Sequence, residues 1–175
     1  MGHHDTTAPK ISHSELLQLV SYDPETGIMR SRVNRRKVKI GQIIGCDCGH
    51  GYSMRIIGHR SLVHRYAWFY MTGCWPTKVI DHINRNPYDN RFKNLRQCTQ
   101  AENRRNSSKP RHNTSGVVGV LPDKRGGNVK PWRAQITINN RCVHIGSYDT
   151  KEEAMAARKI KAAELWGDFA PAEGA

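Results

Sequence analysis

The chain has no apolar run approaching the roughly 20 residues that a membrane-spanning helix requires. Its first ten residues, Met1 to Lys10, carry no apolar core of the sort found in secretory leaders. A soluble, intracellular protein with no membrane partner is expected. Its five cysteines, at positions 46, 48, 74, 98 and 142, form no C-x-x-C unit and are odd in number. That argues for reduced thiols rather than a disulfide framework. Cys46-Asp47-Cys48-Gly49-His50 is at most a weak zinc signal. Acidic residues are scarce as well. Asp and Glu number 15 against 28 Lys and Arg in 175 residues, a formal net charge of +13. The basic residues run through the whole chain, so a polyanionic partner is expected. Charge alone suits nucleic acid and an anionic membrane surface equally.

What is present points more narrowly. Residues 79–103 read V-I-D-H-I-N-R-N-P-Y-D-N-R-F-K-N-L-R-Q-C-T-Q-A-E-N. Asp81 and His82 are adjacent, and carboxamides return at Asn94 and Asn103. Metal-assisted phosphodiester hydrolysis needs this set. The imidazole can deprotonate a water, the carboxylate can hold a hard cation, and an amide oxygen can complete the metal site. Mg²⁺ keeps several waters, so one Asp and one Asn suffice as protein ligands. Thr77 to Ile83 is β-branched and reads as a strand. Asn84 to Asp89 is a loop, and Asn94 to Cys98 is a second extended piece. Thr99-Gln100-Ala101-Glu102 has capping-box spacing and predicts a helix from Gln100, with Asn103 in its first turn.

On D-H-I-N-R-N, D-N-R, N-L-R and the spacing to Asn103, this segment resembles the HNH nucleases, the ββα-metal fold, in the version found among phage and intron-borne homing endonucleases. The resemblance implies His82 as general base and Asn94 as the residue that braces the loop and orients the imidazole. It implies Asp81 and Asn103 as ligands of one divalent cation, Mg²⁺ or Mn²⁺, Asn103 replacing the His of other branches. It also implies a phage-infected or bacterial cell. Some HNH nucleases hold a structural zinc with two C-x-x-C pairs, a pattern missing here.

Upstream, Ser12 and Glu15 form another capping box, with Ile11 and Leu16 as a hydrophobic staple, predicting a short helix to about Val20. From Ser21 to Ile57, turn signals alternate with short β-prone pieces, which predicts a small antiparallel sheet. Arg30, Arg32, Arg35, Arg36, Lys37 and Lys39 fall in one hairpin, where a phosphate backbone is the expected neighbour. Ser61 to Thr72 has helical spacing and is stopped by Gly73 and Pro76. His64, Arg65 and Trp68 are expected on its other face, with His64 a secondary phosphate-contact candidate.

Residues 107–116 are polar and basic and read as a linker after a nuclease module over 1–106. Arg104 and Arg105 precede it and are candidate DNA contacts. Beyond it, Val117 to Leu121 is a strand candidate. Trp132 to Ile138 then alternates strictly, with Arg133, Gln135 and Thr137 on one face. Asn139-Asn140 is expected to turn into Arg141 to Tyr148, with Val143 and Ile145 inward and Cys142 and His144 outward. Thr150 and Glu153 make a third capping box. It opens a helix to about Trp166 whose inner stripe is expected at Ala156, Ile160 and Ala163.

The words S-G-V-V-G-V, W-R-A-Q-I, H-I-G-S-Y-D-T-K-E-E-A and A-A-E-L-W-G resemble the APETALA2-type DNA-binding domain, in which a free sheet face enters the major groove. The resemblance covers 117–170 and implies DNA contacts at Gln135, Thr137 and His144, with Arg133 beside them. Several Arg and Trp contacts of that family are Val118, Leu121 and His144 here, so its target sequence does not transfer.

The sequence thus predicts an α+β protein: a small sheet and helix leading into a ββα-metal motif, then a three-stranded antiparallel sheet on one helix. The expected activity is site-specific cleavage of double-stranded DNA, with no small-molecule substrate. Nicking by a monomer is favoured, with a dimer as the alternative. A catalytically idle DNA-binding regulator and a non-specific nuclease are the competing readings.

Overall fold

Three helices begin at the capping boxes, and the hydrogen bonds show why. In the computed structural model Ser12, Thr99 and Thr150 each accept from the backbone N–H three residues on, at Glu15, Glu102 and Glu153. Each glutamate reaches back to the N–H of the capping residue. The structure describes residues 8–35, 37–106, 115–123, 130–138, 141–167 and 170. Arg36, the Arg105 side chain, the Asn139-Asn140 turn and 107–114 of the expected linker lie outside them. The chain divides into two compact units, Met1–Asn103 and Arg104–Ala175.

In the first unit, α1 (His13–Leu19) leads directly into β1 (Val20–Tyr22), which pairs antiparallel with β2 (Met29–Ser31). A three-stranded sheet follows, made of β3 (Cys46–Asp47), β4 (Tyr52–Ile56) and β5 (His59–Leu62). The helix α2 (Val63–Thr72) comes next, ended by Gly73 in the left-handed conformation. Strands β6 (Val79–His82) and β7 (Leu95–Cys98) form the last hairpin, and α3 (Gln100–Asn106) follows. Leu16, Val20, Met29, Ile56, Tyr66 and Ala67, with their neighbours, make one apolar core under these elements.

Two expectations shift. The helix predicted from Ser61 begins at Val63, because Ser61 and Leu62 pair with Met54 and Ser53 and finish β5. Arg65 is 4% exposed rather than on an outer face. Its guanidinium donates to the carbonyls of Pro76 and, more distantly, Lys78, and stacks 5.0 Å over Trp75. It thereby satisfies carbonyls of the backbone entering β6, while the Lys78 N–H donates to the Gln97 side chain of β7.

In the second unit, β8 (Val120–Pro122), β9 (Trp132–Ile138) and β10 (Arg141–Tyr148) form an antiparallel sheet in the order β10-β9-β8. The helix α4 (Lys151–Trp166) packs on it through Ala154. The inner stripe is Ala154 and Ala162 with half-buried Arg158 between them, while the expected Ile160 is 62% exposed. Residues four apart share one helix face, and an arginine stem can cover apolar surface as a leucine does. Gly119 makes room: a Cβ there would fall 2.6 Å from Nε of Arg158. Val143 is 41% exposed, and the strand register slips between His144 and Gly146. That bulge makes Ile145 the extra residue and breaks the alternation, yet Ile145 still packs on the Val120, Ala134 and Ala154 core as expected.

The chain is therefore α+β, with small antiparallel sheets throughout. No described helix is long and apolar enough to cross a membrane. Replacing Arg65 with Leu should cost about 2–4 kcal/mol, since it strips buried carbonyls of their charged donor. Urea denaturation of the two proteins measures this; a loss under about 0.5 kcal/mol, the range of ordinary surface substitutions, would show the donor to be dispensable.

Candidate active site

The β6–β7 hairpin carries the polar residues singled out above, and its register decides which of them meet. Asp81 lies opposite Arg96, and His82 lies opposite Leu95. Successive side chains of a strand point to opposite faces. Asp81 therefore shares a face with Val79 and Cys98, and His82 shares the other with Ile80.

On the first face, Arg96 grips Oδ2 of Asp81 with Nε at 3.0 Å and Nη2 at 2.9 Å. Asp81 is 6% exposed, so this pair is largely desolvated. Burial pushes the Cys98 thiol up to about 11, the Asp81 charge adds to that, and the Asn103 backbone N–H acts in the opposite sense. Cys98 ends β7 on the Asp81 face of the hairpin, and α3 starts two residues later at Gln100. The Asn103 N–H donates to Thr99 within the first turn, and its side chain is half-buried.

On the second face, His82 is 8% exposed. Burial pulls its pKa below the ordinary 6.5, against the raising effects of an Asn90 hydrogen bond and the Asp81 and Asp89 charges. A neutral imidazole at neutral pH is the form that accepts a proton. Its Nε2 lies 3.2 Å from Oδ1 of Asn90, and the ring of His64 stands edge-on with centroids 4.9 Å apart. Asn90 is absent from the residues that the sequence singles out, and His64 is there only a secondary phosphate-contact candidate. The D-N-R word was the available signal for Asn90.

Asn94 closes the loop between the strands. Its Oδ1 accepts from the Asn84 N–H at 3.0 Å. Its Nδ2 donates to the Asp89 carbonyl at 2.8 Å and to Oδ1 of Asn84 at 3.0 Å. Its own carbonyl accepts from the N–H of Ile83. Asn94 sits at the end of a 3-10 turn, Phe92–Asn94, and not in the strand, which begins at Leu95. It braces the loop that follows His82, while the carboxamide touching the imidazole belongs to Asn90.

The donor set suits a hard cation. Asp81 and Asn103 offer only oxygen, and Mg²⁺ takes few protein oxygens and many waters. Among the described residues no group of three or more His, Cys, Asp and Glu gathers as a metal site. Cys46 and Cys48 are included: Cys46 is exposed, and the Cys48 thiol donates to the Gly51 carbonyl. A cation on the hairpin would rest on Asp81, Asn103, water and substrate phosphate.

Residues 61–105 match the family model of the HNH endonucleases. The chain is also 33% identical over 108 residues to Protein 3.8 of Escherichia phage T7, across 61% of this chain and 86% of that protein. It belongs to that family. No solved structure matches. The HNH segment, running from the end of β5 through most of α3, makes the protein a nuclease in the general sense and implies a DNA substrate.

The remaining candidates are dispersed. Arg133, Gln135, Thr137 and His144 share the open face of the second sheet, with Gln135 paired to His144 and Thr137 to Cys142. Arg133, Gln135, Cys142 and His144 line one shallow concavity there. Arg35 lies in a tight turn, exchanging backbone hydrogen bonds with Val38. Arg104 is exposed on α3.

The loop carries its own pH dependence. Hydrogen bonds from Arg91 hold the Asp89 carboxyl down at about 2, below its usual 3.8. The folded value is the lower one, so this stabilisation is full above about 3.8 and lost as pH falls toward about 2. In Asp89→Asn the fall of stability across that acid interval should be shallower than in the parent. Urea midpoints at stepped acid pH read the difference, and parallel curves would remove Asp89 from the account.

Proposed function

We propose that the chain is a site-specific DNA endonuclease of the homing type, cutting one strand by hydrolysis, with Mg²⁺ or Mn²⁺ as cofactor. The observation that carries this reading is a buried His82, next in sequence to the Asp81 carboxylate that Arg96 holds, on one hairpin braced by Asn94. His82 takes the proton of the attacking water as it adds to the scissile phosphorus. Asp81 and Asn103 would hold the cation, which, when bound, stabilises charge on the phosphate and on the departing 3′-oxygen. Asn94 keeps the loop after His82 from drifting. Arg96 orients the Asp81 carboxylate from the opposite strand.

The division into modules follows the same logic. Residues 1–106 form the nuclease, 107–116 the linker, and 117–170 an APETALA2-like reader. The open face of Arg133, Gln135, Thr137 and His144 presents side chains able to reach base edges in a major groove. The exposed Arg104, with Arg35, Arg36 and Arg105, suits phosphates, which position a protein without reading sequence. One catalytic hairpin per chain supports a monomer that nicks.

His82→Ala should lower the cleavage rate by about 10²–10⁴-fold while duplex binding is retained. EDTA should silence the parent protein, and added Mg²⁺ or Mn²⁺ should restore it. Cleavage by thoroughly metal-stripped protein, or by the His82 variant at the parent rate, would overturn the mechanism.

Substituting Gln135 should relax preference at one or two base pairs, by roughly 1–3 kcal/mol per lost bidentate contact. Substituting Arg104 should instead weaken binding uniformly and flatten its salt dependence. Sequencing the products of a random-duplex library cut by each variant separates the two. An unchanged product set for Gln135→Ala would move recognition to the first unit.

A further inference from the structure

The HNH mechanism leaves one buried polar side chain beside the imidazole without a task. Asn90 is 3% exposed, and its Oδ1 is 3.2 Å from Nε2 of His82. A carboxamide oxygen only accepts, so this contact is a hydrogen bond when Nε2 carries the proton. The lone pair is then on Nδ1. A neutral imidazole otherwise exchanges between two tautomers, and the other one presents an N–H where a base is needed.

The backbone of Asn90 is held from a distant part of the chain. The Tyr22 hydroxyl, at the end of β1, donates to the Asn90 carbonyl at 2.6 Å. Tyr22 is 6% exposed, and its ring packs edge-on against Tyr70. The β1–β2 turn presses on the same backbone: a Cβ on Gly27, which sits at φ +73°, would fall 2.5 Å from the Asn90 carbonyl carbon and 2.6 Å from the Arg91 nitrogen. The Phe92 N–H donates to the Pro24 carbonyl, and Lys93 pairs with Glu25. All of these partners on the turn, and Tyr22, precede the 61–105 segment.

We infer that Asn90 is a positioning residue that fixes His82 in its Nε2–H tautomer, and that the β1–β2 hairpin, through Tyr22, holds Asn90 in register for that purpose. The inference rests on His82 as the base. It enlarges the functional nuclease to include an N-terminal hairpin that touches no reacting atom. A purely packing role for Asn90 predicts different behaviour.

The test uses the full chain. Asn90→Leu removes the acceptor but leaves the main-chain carbonyl that Tyr22 holds. Its kcat on supercoiled plasmid DNA with Mg²⁺ should fall about ten- to a hundredfold, with duplex Kd unchanged. In ¹⁵N-imidazole NMR at a pH where His82 is neutral, its signal should move from the Nε2–H form to a tautomer mixture. Asn90→Asp, which keeps an oxygen acceptor, should restore the Nε2–H signature and part of the rate. Tyr22→Phe keeps the ring and loses the donor; a smaller loss of kcat in the same direction is expected. If Asn90→Leu fails to fold by circular dichroism, Asn90→Ala removes the acceptor with no added bulk and is read the same way. A His82 signal that stays in the Nε2–H form without the acceptor, or an activity loss matched by the unfolded fraction, overturns the inference. The NMR readout does not depend on cleavage. Should His82→Ala still cut DNA while loss of the Asn90 acceptor shifts the tautomer, the base assignment fails and the positioning contact stands.

Discussion

The site depends on the folding of a polar loop that has no regular structure to satisfy its backbone. Between His82 and Asn94 the chain forms turns and one 3-10 turn at Phe92–Asn94 rather than a strand or an α-helix, yet it passes beside a desolvated imidazole. Buried N–H and carbonyl groups there need partners, because an unmade hydrogen bond costs about 1–3 kcal/mol. Asn94 supplies several at once, accepting from Asn84 and donating to the Asp89 carbonyl. Asn84 and Asp89 are then tied to each other, and Arg91 to Asp89. Remove that central carboxamide and the loop has lost its inner scaffold. His82, whose carbonyl accepts from the Arg85 N–H at the loop's first turn, goes with it.

Around this loop the first unit is arranged as a set of supports. The β1–β2 hairpin seats Asn90 and Arg91, and β3–β4 touches the loop's outer edge, where the Tyr88 hydroxyl bonds Asp47 and Gly51 lies against Pro87. Helix α2 contributes Arg65 at the start of β6 and the His64 ring at its end. The apolar core is small, and much of the precision comes from hydrogen bonds between segments far apart in the chain. This suits a nuclease, because a displacement of the base by about 1 Å can cost on the order of 10²-fold in rate.

The second unit is built by a different rule. Its sheet keeps one face against α4 through Ala134 and Val120, and the other face is open and polar. Small residues at the helix contact bring α4 close, and the stem of Arg158 completes the cover. The chain-wide charge of +13 suits a polyanionic partner, and the open sheet face presents Gln, Thr, His and Arg side chains, the types by which the proposed reader would reach base edges.

Local signals were sufficient for a large share of this. The capping boxes place the starts of α1, α3 and α4, since a cap and its glutamate are three residues apart and need nothing else. Strict alternation gives β9 its bounds and the side of the sheet on which Gln135 lies, and in β10 it holds as far as His144, before the bulge. The Asp81-His82 pair with Asn94 and Asn103 was legible as a chemical set from spacing. Which amide touches the imidazole was not. Asn90 meets His82 only because Asn94 folds the loop back and Tyr22 pins its carbonyl, and Tyr22 lies 68 positions away. Nor was the burial of Arg65, whose charge argues for solvent until two carbonyls and Trp75 are seen around it. The phase of α4 went the same way, because Ala, Ile and Arg at near-helical spacing fit several stripes until Gly119 and Ala134 select one. Sequence by itself determined what depends on neighbours within a turn or a strand. Tertiary structure decided the contacts whose partners are distant, because their energy comes from closing particular gaps and pairing particular buried atoms.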